Sequence, residues 1–99
     1  MSWRPLLSKN LKELRIHLCQ SSAGSKGTRD FILKEYAAIK EANPNFPILV
    51  RESSGIEARA FGRYAYGQER KVTLENLSKE DVEGRIKTLA ETRPSASER

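Results

Sequence analysis

The stretch Leu14-Arg15-Ile16-His17-Leu18-Cys19 sets the strongest limit on the fold. Leu14, Ile16 and Leu18 alternate with Arg15, His17 and Cys19, the period of two of a strand with one apolar face. Residues 21–27 are rich in Ser and Gly and read as a loop. Ile32, Tyr36 and Ile39 then recur at helical spacing, with Phe31 and Ala42 widening the stripe, until Asn43-Pro44 stops the helix. Ser25 or Thr28 is placed to cap that helix, Asp30 falls in its first turn, and Asp30 and Lys34 stand at i, i+4. Pro47-Ile48-Leu49-Val50-Arg51-Glu52 is an apolar run opening on proline, as a buried parallel strand begins. Strand, helix and strand together take about forty residues, the length of a βαβ unit.

Ser53-Ser54-Gly55 is a turn, and the stretch from there to Ala58 has room for about one helical turn. Residues 59–66 and 71–75 flank Gly67-Gln68-Glu69-Arg70 and predict a β-hairpin with that connection. Ser78 followed by Asp81 is a capping box with aspartate in place of Glu, Leu77 and Val82 form a staple, and Val82, Ile86 and Leu89 supply a buried stripe. The order β-α-β-β-β-α predicts an α/β, thioredoxin-like domain: a four-stranded mixed sheet with its middle helix reduced or missing. The sheet face bearing Arg15, His17 and Cys19 is then under-covered, which makes it a candidate docking surface. The organisation expected is an N-terminal arm at 1–13, the domain at 14–93 and a flexible tail at 94–99. The arm has Arg4, Lys9 and Lys12 before its first acid at Glu13, and Leu7 and Leu11 lie one helical turn apart. It reads equally as an import signal or as a segment pinned by Trp3 and Pro5.

A single cysteine excludes an intrachain disulfide and a cysteine-based zinc site, and a single histidine excludes an ordinary histidine metal site. No Gly-rich phosphate loop, Walker lysine or carboxylate pair is present, and no apolar run is long enough to span a bilayer. The net charge of +5 suits an acidic partner, whether RNA, protein or lipid, or simply a basic compartment. Cys19, in a Cys-x-x-Ser stretch after a strand, is the one nucleophile at a position where redox thiols occur. It stands well before the nearest helix cap, so little help from a helix N-terminus is expected; its other reading is a small buried strand-end residue. His17 shares its strand face but at about 7 Å along the backbone, beyond hydrogen-bond reach. Arg59, Arg63, Arg70 and Lys71 interleave with Phe61, Tyr64 and Tyr66. Such a cluster stacks bases in RNA-binding sheets, anchors protein interfaces, or has aromatics packed inward beneath solvated arginines.

Residues 14–20, then Gly24-Ser25-Lys26-Gly27, Arg29-Asp30-Phe31, Asn43-Pro44, Pro47 to Glu52 and Arg63-Tyr64-Ala65-Tyr66-Gly67-Gln68-Glu69, closely resemble one protein family. It is the thioredoxin-like accessory subunits of mitochondrial respiratory complex I, the alpha-subcomplex subunit 2 family of NADH:ubiquinone oxidoreductase. The likeness runs from about Leu11 to Leu89. It implies a non-catalytic subunit on the matrix side of the inner membrane, docked on the large iron–sulfur subunit beside other matrix-arm subunits. Its role there is assembly and stability of the NADH-oxidising arm. The resemblance implies no cofactor, no metal, no catalytic residue and no nucleic-acid partner. Many members carry a second cysteine where Ser53 stands and a proline where Ala58 stands, and both departures weaken an enzymatic reading. The docking surface is expected to draw on Arg15, His17, Arg51, Arg59, Phe61, Arg63, Tyr64 and Tyr66. The alternatives are a mitochondrial ribosomal protein of a related domain family and a monothiol redox protein using Cys19.

Overall fold

The computed structural model describes residues 3–91, apart from the Tyr66 side chain. In chain order its elements are α1 (Leu6–Asn10), β1 (Glu13–Leu18), α2 (Lys26–Ala42), β2 (Ile48–Glu52), β3 (Arg59–Arg63), β4 (Glu69–Thr73) and α3 (Lys79–Glu91). β1 lies inside the sheet, parallel to β2 and antiparallel to β3, and β4 completes the order β2-β1-β3-β4. This is the α/β architecture with a four-stranded mixed sheet that the order of elements predicts. Between β2 and β3 the described chain makes only turns: Ser53 N–H donates to the Leu18 carbonyl (3.0 Å) and Ile56 N–H to the Ser53 carbonyl (3.2 Å). The middle helix of a thioredoxin-like fold is therefore absent. Among the described residues no helix is long and apolar enough to cross a membrane.

The core cluster falls on one side of the sheet. Leu14, Ile16 and Leu18 of β1 and Ala60 of β3 are buried in one cluster with Phe31 and Ile39 of α2 and Val82, Ile86 and Leu89 of α3. Burying a side chain of this size is worth about 1.5–3 kcal/mol. α3 starts on the Ser78 half of the expected capping box, with Asp81 N–H donating to Ser78 Oγ at 3.2 Å. Residues 3–12 join the same cluster through Trp3, Leu7 and Leu11. Asn43, 1% exposed, fastens them: its amide donates to the Arg4 and Ile39 carbonyls (both 2.9 Å), and its Oδ1 accepts from Ser8 N–H (3.1 Å).

Several local expectations are corrected. α2 buries Gly27, Thr28, Phe31 and Ile39, while Tyr36 is 38% and Leu33 86% exposed. The helix packs along α3 as well as the sheet, and Gly27 allows this: a Cβ there would lie 1.9 Å from the Leu77 carbonyl oxygen. The line of burial is thereby turned away from Tyr36. Neither Ser25 nor Thr28 caps α2; Ser25 Oγ instead accepts Cys19 N–H at 3.0 Å. Asp30 pairs with Lys26 (2.9 Å) rather than with Lys34. β2 is an edge strand, half-buried at Ile48, Leu49 and Val50, so its apolar run does not mark a doubly covered strand. Its opening proline and its exposed Arg51 and Glu52 fit an edge instead. The hairpin connection is residues 64–68, not 67–70, because the chain leaves β3 at Arg63 to send Tyr64 into the core. The expected tail, 94–99, lies outside the described residues.

Candidate functional site

The helix-free face of the sheet is built by register. The inward row of β1 leaves Glu13, Arg15 and His17 pointing the other way, and pairing adds neighbours across each of them. Arg15 stands beside Leu49 of β2 and Phe61 of β3, with Lys71 of β4 beyond. His17 stands between Arg51 and Arg59, with Thr73 beyond. Glu13 faces Arg63, which faces Glu69. Arg15, His17, Arg51, Arg59, Phe61 and Arg63, dispersed along the sequence, thus meet on one surface. Leu49 and Lys71 belong to the same surface; the period of two in β2 and β4 is the signal that places them.

The electrostatics are one-sided. Glu13 Oε2 takes Arg15 Nε at 2.9 Å and Arg63 Nη1 at 3.7 Å. Among the described residues no carboxylate pairs with Arg51, Arg59 or Lys71, so the half of the face around His17 is cationic. The His17 ring tilts on Phe61 with centroids 5.1 Å apart, and its Nδ1 is buried without a partner among the described residues. Burial, and then the guanidiniums of Arg59, Arg15 and Arg51, hold this imidazole below its usual range. Phe61 and Leu49 supply half-buried apolar surface between the charges. Aromatic and arginine side chains gathered in this way are what protein interfaces use as anchors.

Two expected members lie elsewhere. Tyr64 is 2% exposed and donates its hydroxyl to the Leu89 carbonyl (2.8 Å), so it holds α3 to the sheet and is closed to a partner. The Tyr66 side chain lies outside the described residues. Cys19, 2% exposed, sits where β1 runs into the loop. Gly55 N–H donates to its Sγ at 3.3 Å, and Ser21 Oγ is 3.9 Å away. Arg29 clamps the loop from below, donating to the carbonyls of Cys19 (3.0 Å) and Ser22 (2.7 Å). Backbone N–H groups of Ser21, Gly55 and Ser22 pull the thiol down to about 6. The help that the sequence did not offer from a helix therefore comes from the loop. Chemically the arrangement can stabilise a thiolate but keeps it from solvent. Ser53, not a thiol, follows β2 at this end of the sheet, its N–H donating to the Leu18 carbonyl at 3.0 Å.

Comparison with known proteins adds three relatives and a domain. Residues 28–79 match the model of the mitochondrial ribosomal protein L51 / S25 / CI-B8 domain. The chain is 53% identical over 72 residues to NADH dehydrogenase (ubiquinone) 1 alpha subcomplex subunit 2 of Mus musculus, covering 73% of each chain. It is 44% identical over 92 residues to the protein of the same name from Arabidopsis thaliana, covering 93% of this chain and 95% of that one. It is 39% identical over 89 residues to the NADH-ubiquinone oxidoreductase 10.5 kDa subunit of Neurospora crassa, covering 90% and 95%.

Proposed function

The chain belongs to the family of NADH dehydrogenase alpha subcomplex subunit 2, and from this we propose that it is a non-catalytic accessory subunit of mitochondrial respiratory complex I. On this reading it is mitochondrial and part of a hetero-oligomeric assembly of the respiratory electron-transport chain. It docks on the matrix side against the large iron–sulfur subunit and supports assembly and stability of the NADH-oxidising arm. The observation that carries the docking is the helix-free sheet face. A fold of this kind with its middle helix missing leaves Phe61 and Leu49 half-buried among Arg15, Arg51, Arg59 and Arg63, where a larger subunit can complete the burial. Acidic groups of that subunit would meet the arginines, giving register and association rate more than raw affinity.

A non-catalytic role is supported by the state of Cys19. The thiol is buried, and as the chain's only cysteine it can form no intrachain disulfide. The matched domain is named also for mitochondrial ribosomal proteins, and the net charge of +5 would suit RNA, so the test must separate the two. A tagged chain in gently solubilised mitochondria should migrate with NADH dehydrogenase activity. Migration with ribosomal RNA would overturn the reading. The double substitution Arg59→Glu and Arg63→Glu should release the subunit while leaving its own thermal transition in place; unchanged association would refute docking through this face.

A further inference from the structure

We propose that the row Arg51–His17–Arg59, with Arg15 beside it, is a socket for a carboxylate of the docked protein, and that docking carries a proton onto His17. The inference rests on the docking reading and adds the recognised group and a pH response. Arginines on three strands surround the imidazole: Arg51 of β2 and Arg59 of β3 are its cross-strand neighbours, and Arg15 stands two residues before it on β1 with its Nε on Glu13. The other ionisable groups nearby are accounted for. Glu13 lies beyond Arg15 and is engaged by Arg15 and Arg63. Glu52 and the core-facing positions of β1 point to the opposite face. Cys19 turns its Sγ into the backbone N–H groups of the loop. Thr73 of β4 ends the row without charge, and Lys71 stands in the next row, beyond Phe61, adding a further positive charge. An anion is therefore what the row lacks.

The site is built rather than incidental. Packing on Phe61 fixes the ring, and burial of Nδ1 leaves Nε2 as the ring nitrogen available to a partner. In the free chain partial burial, and then the guanidiniums of Arg59, Arg15 and Arg51, disfavour the charged imidazole. A carboxylate seated among them cancels that field and accepts a hydrogen bond from Nε2. The charged ring then becomes the favoured form, and the proton comes from solvent. By linkage, association tightens as pH falls through the window between the bound and free values, by about tenfold for each unit that separates them. Glu or Asp fits because the socket is shallow and lies on a sheet; the apolar neighbours Leu49 and Phe61 call for a carboxylate flanked by apolar side chains.

His17 is the chain's only histidine, so its ring protons give one clean titration by NMR. The probe is a blocked pentapeptide alternating Glu and Leu, added to the full-length chain to millimolar excess, with the Gln analogue as control. The expected result is a midpoint below the ordinary imidazole value in the free chain and a rise of about one unit with the Glu peptide. The Gln peptide should produce no rise. Arg51→Gln should raise the free midpoint and weaken the Glu peptide severalfold, and His17→Gln should flatten the pH dependence of binding. Failure of the Glu peptide to bind overturns the socket, as does binding that leaves the His17 midpoint where it was. Docking itself is read separately, from migration of the parent chain with NADH dehydrogenase activity, so failure of the socket and failure of the docking reading are told apart.

Discussion

Tyr64 Oη donates a 2.8 Å hydrogen bond to the carbonyl of Leu89, tying the end of β3 to the last turns of α3 inside the core. Phe61, three residues earlier, lies on the other side of the sheet. The two aromatics should therefore respond in opposite ways. Tyr64→Phe removes a buried hydrogen bond and should cost about 1 kcal/mol of stability, read as a lower urea midpoint with unchanged slope. Phe61→Ala should change the midpoint less than Tyr64→Phe does and should weaken incorporation into the respiratory assembly instead.

Asn43 makes a second link of this kind, joining α2 to the N-terminal segment through Arg4 and Ser8. Asn43→Ala removes three side-chain hydrogen bonds, each worth about 0.5–1.5 kcal/mol net, although the Arg4 and Ile39 carbonyls keep backbone partners in the N–H groups of Leu7 and residue 43. Loss of roughly 2–4 kcal/mol is expected, and hydrogen exchange at Leu7 and Leu11 should accelerate more than exchange in β1. Uniform acceleration across the domain would mean that the segment is not a separate cooperative unit.

Gly27 meets backbone, not a flexible side-chain end: the Leu77 carbonyl lies where its Cβ would be. Gly27→Ala must push α2 away from the start of α3, so the usual helix preference for alanine is reversed. A loss of about 1–3 kcal/mol, as for an overpacked core, is expected from thermal or urea unfolding. Gly84→Ala is the contrasting case, because its Cβ would enter open space. That exposed helical site should gain about 0.5–1 kcal/mol.

The sequence displayed what depends on local periodicity and concealed what depends on approach between distant segments. The alternation in β1, the Ser78 cap of α3 and the stripe Val82–Ile86–Leu89 are local, and each appears in the structure as read. So is the missing helix between β2 and β3, since too few residues separate them. The roll of α2 is not local. It follows from contact between Gly27 and Leu77, far apart in the chain, and it leaves Tyr36 outside the core. Tyr64 misled for a related reason: it continues the basic–aromatic pattern of β3 while its partner Leu89 lies on α3. The arginines around His17 were legible as strand positions, but their placement around one ring needed the pairing register.

Cys19 gives the domain a pH signature whose sign follows from its surroundings. Backbone N–H groups of Ser21, Gly55 and Ser22 bring the thiol from 9.0 to about 6, so between those values the unfolded chain binds more protons than the folded one. Stability therefore rises with pH across that window, is fully gained near pH 9 and is lost as pH falls through about 6. His17, held below its usual range, also lowers stability as pH falls, so the thiol's share must be isolated by substitution. Urea midpoints of the parent chain should climb from about pH 6 to about pH 9, and Cys19→Ser should remove most of the climb above pH 7, where the imidazole is already neutral. Reactivity should not follow charge. Because Cys19 is 2% exposed, alkylation should stay slow even where the thiolate dominates, and Arg29→Ala, which frees the carbonyls of Cys19 and Ser22, should speed it. Alkylation of the parent chain at the rate of an open thiolate would show that solvent reaches the sulfur, and the monothiol reading would return with Cys19 as its nucleophile.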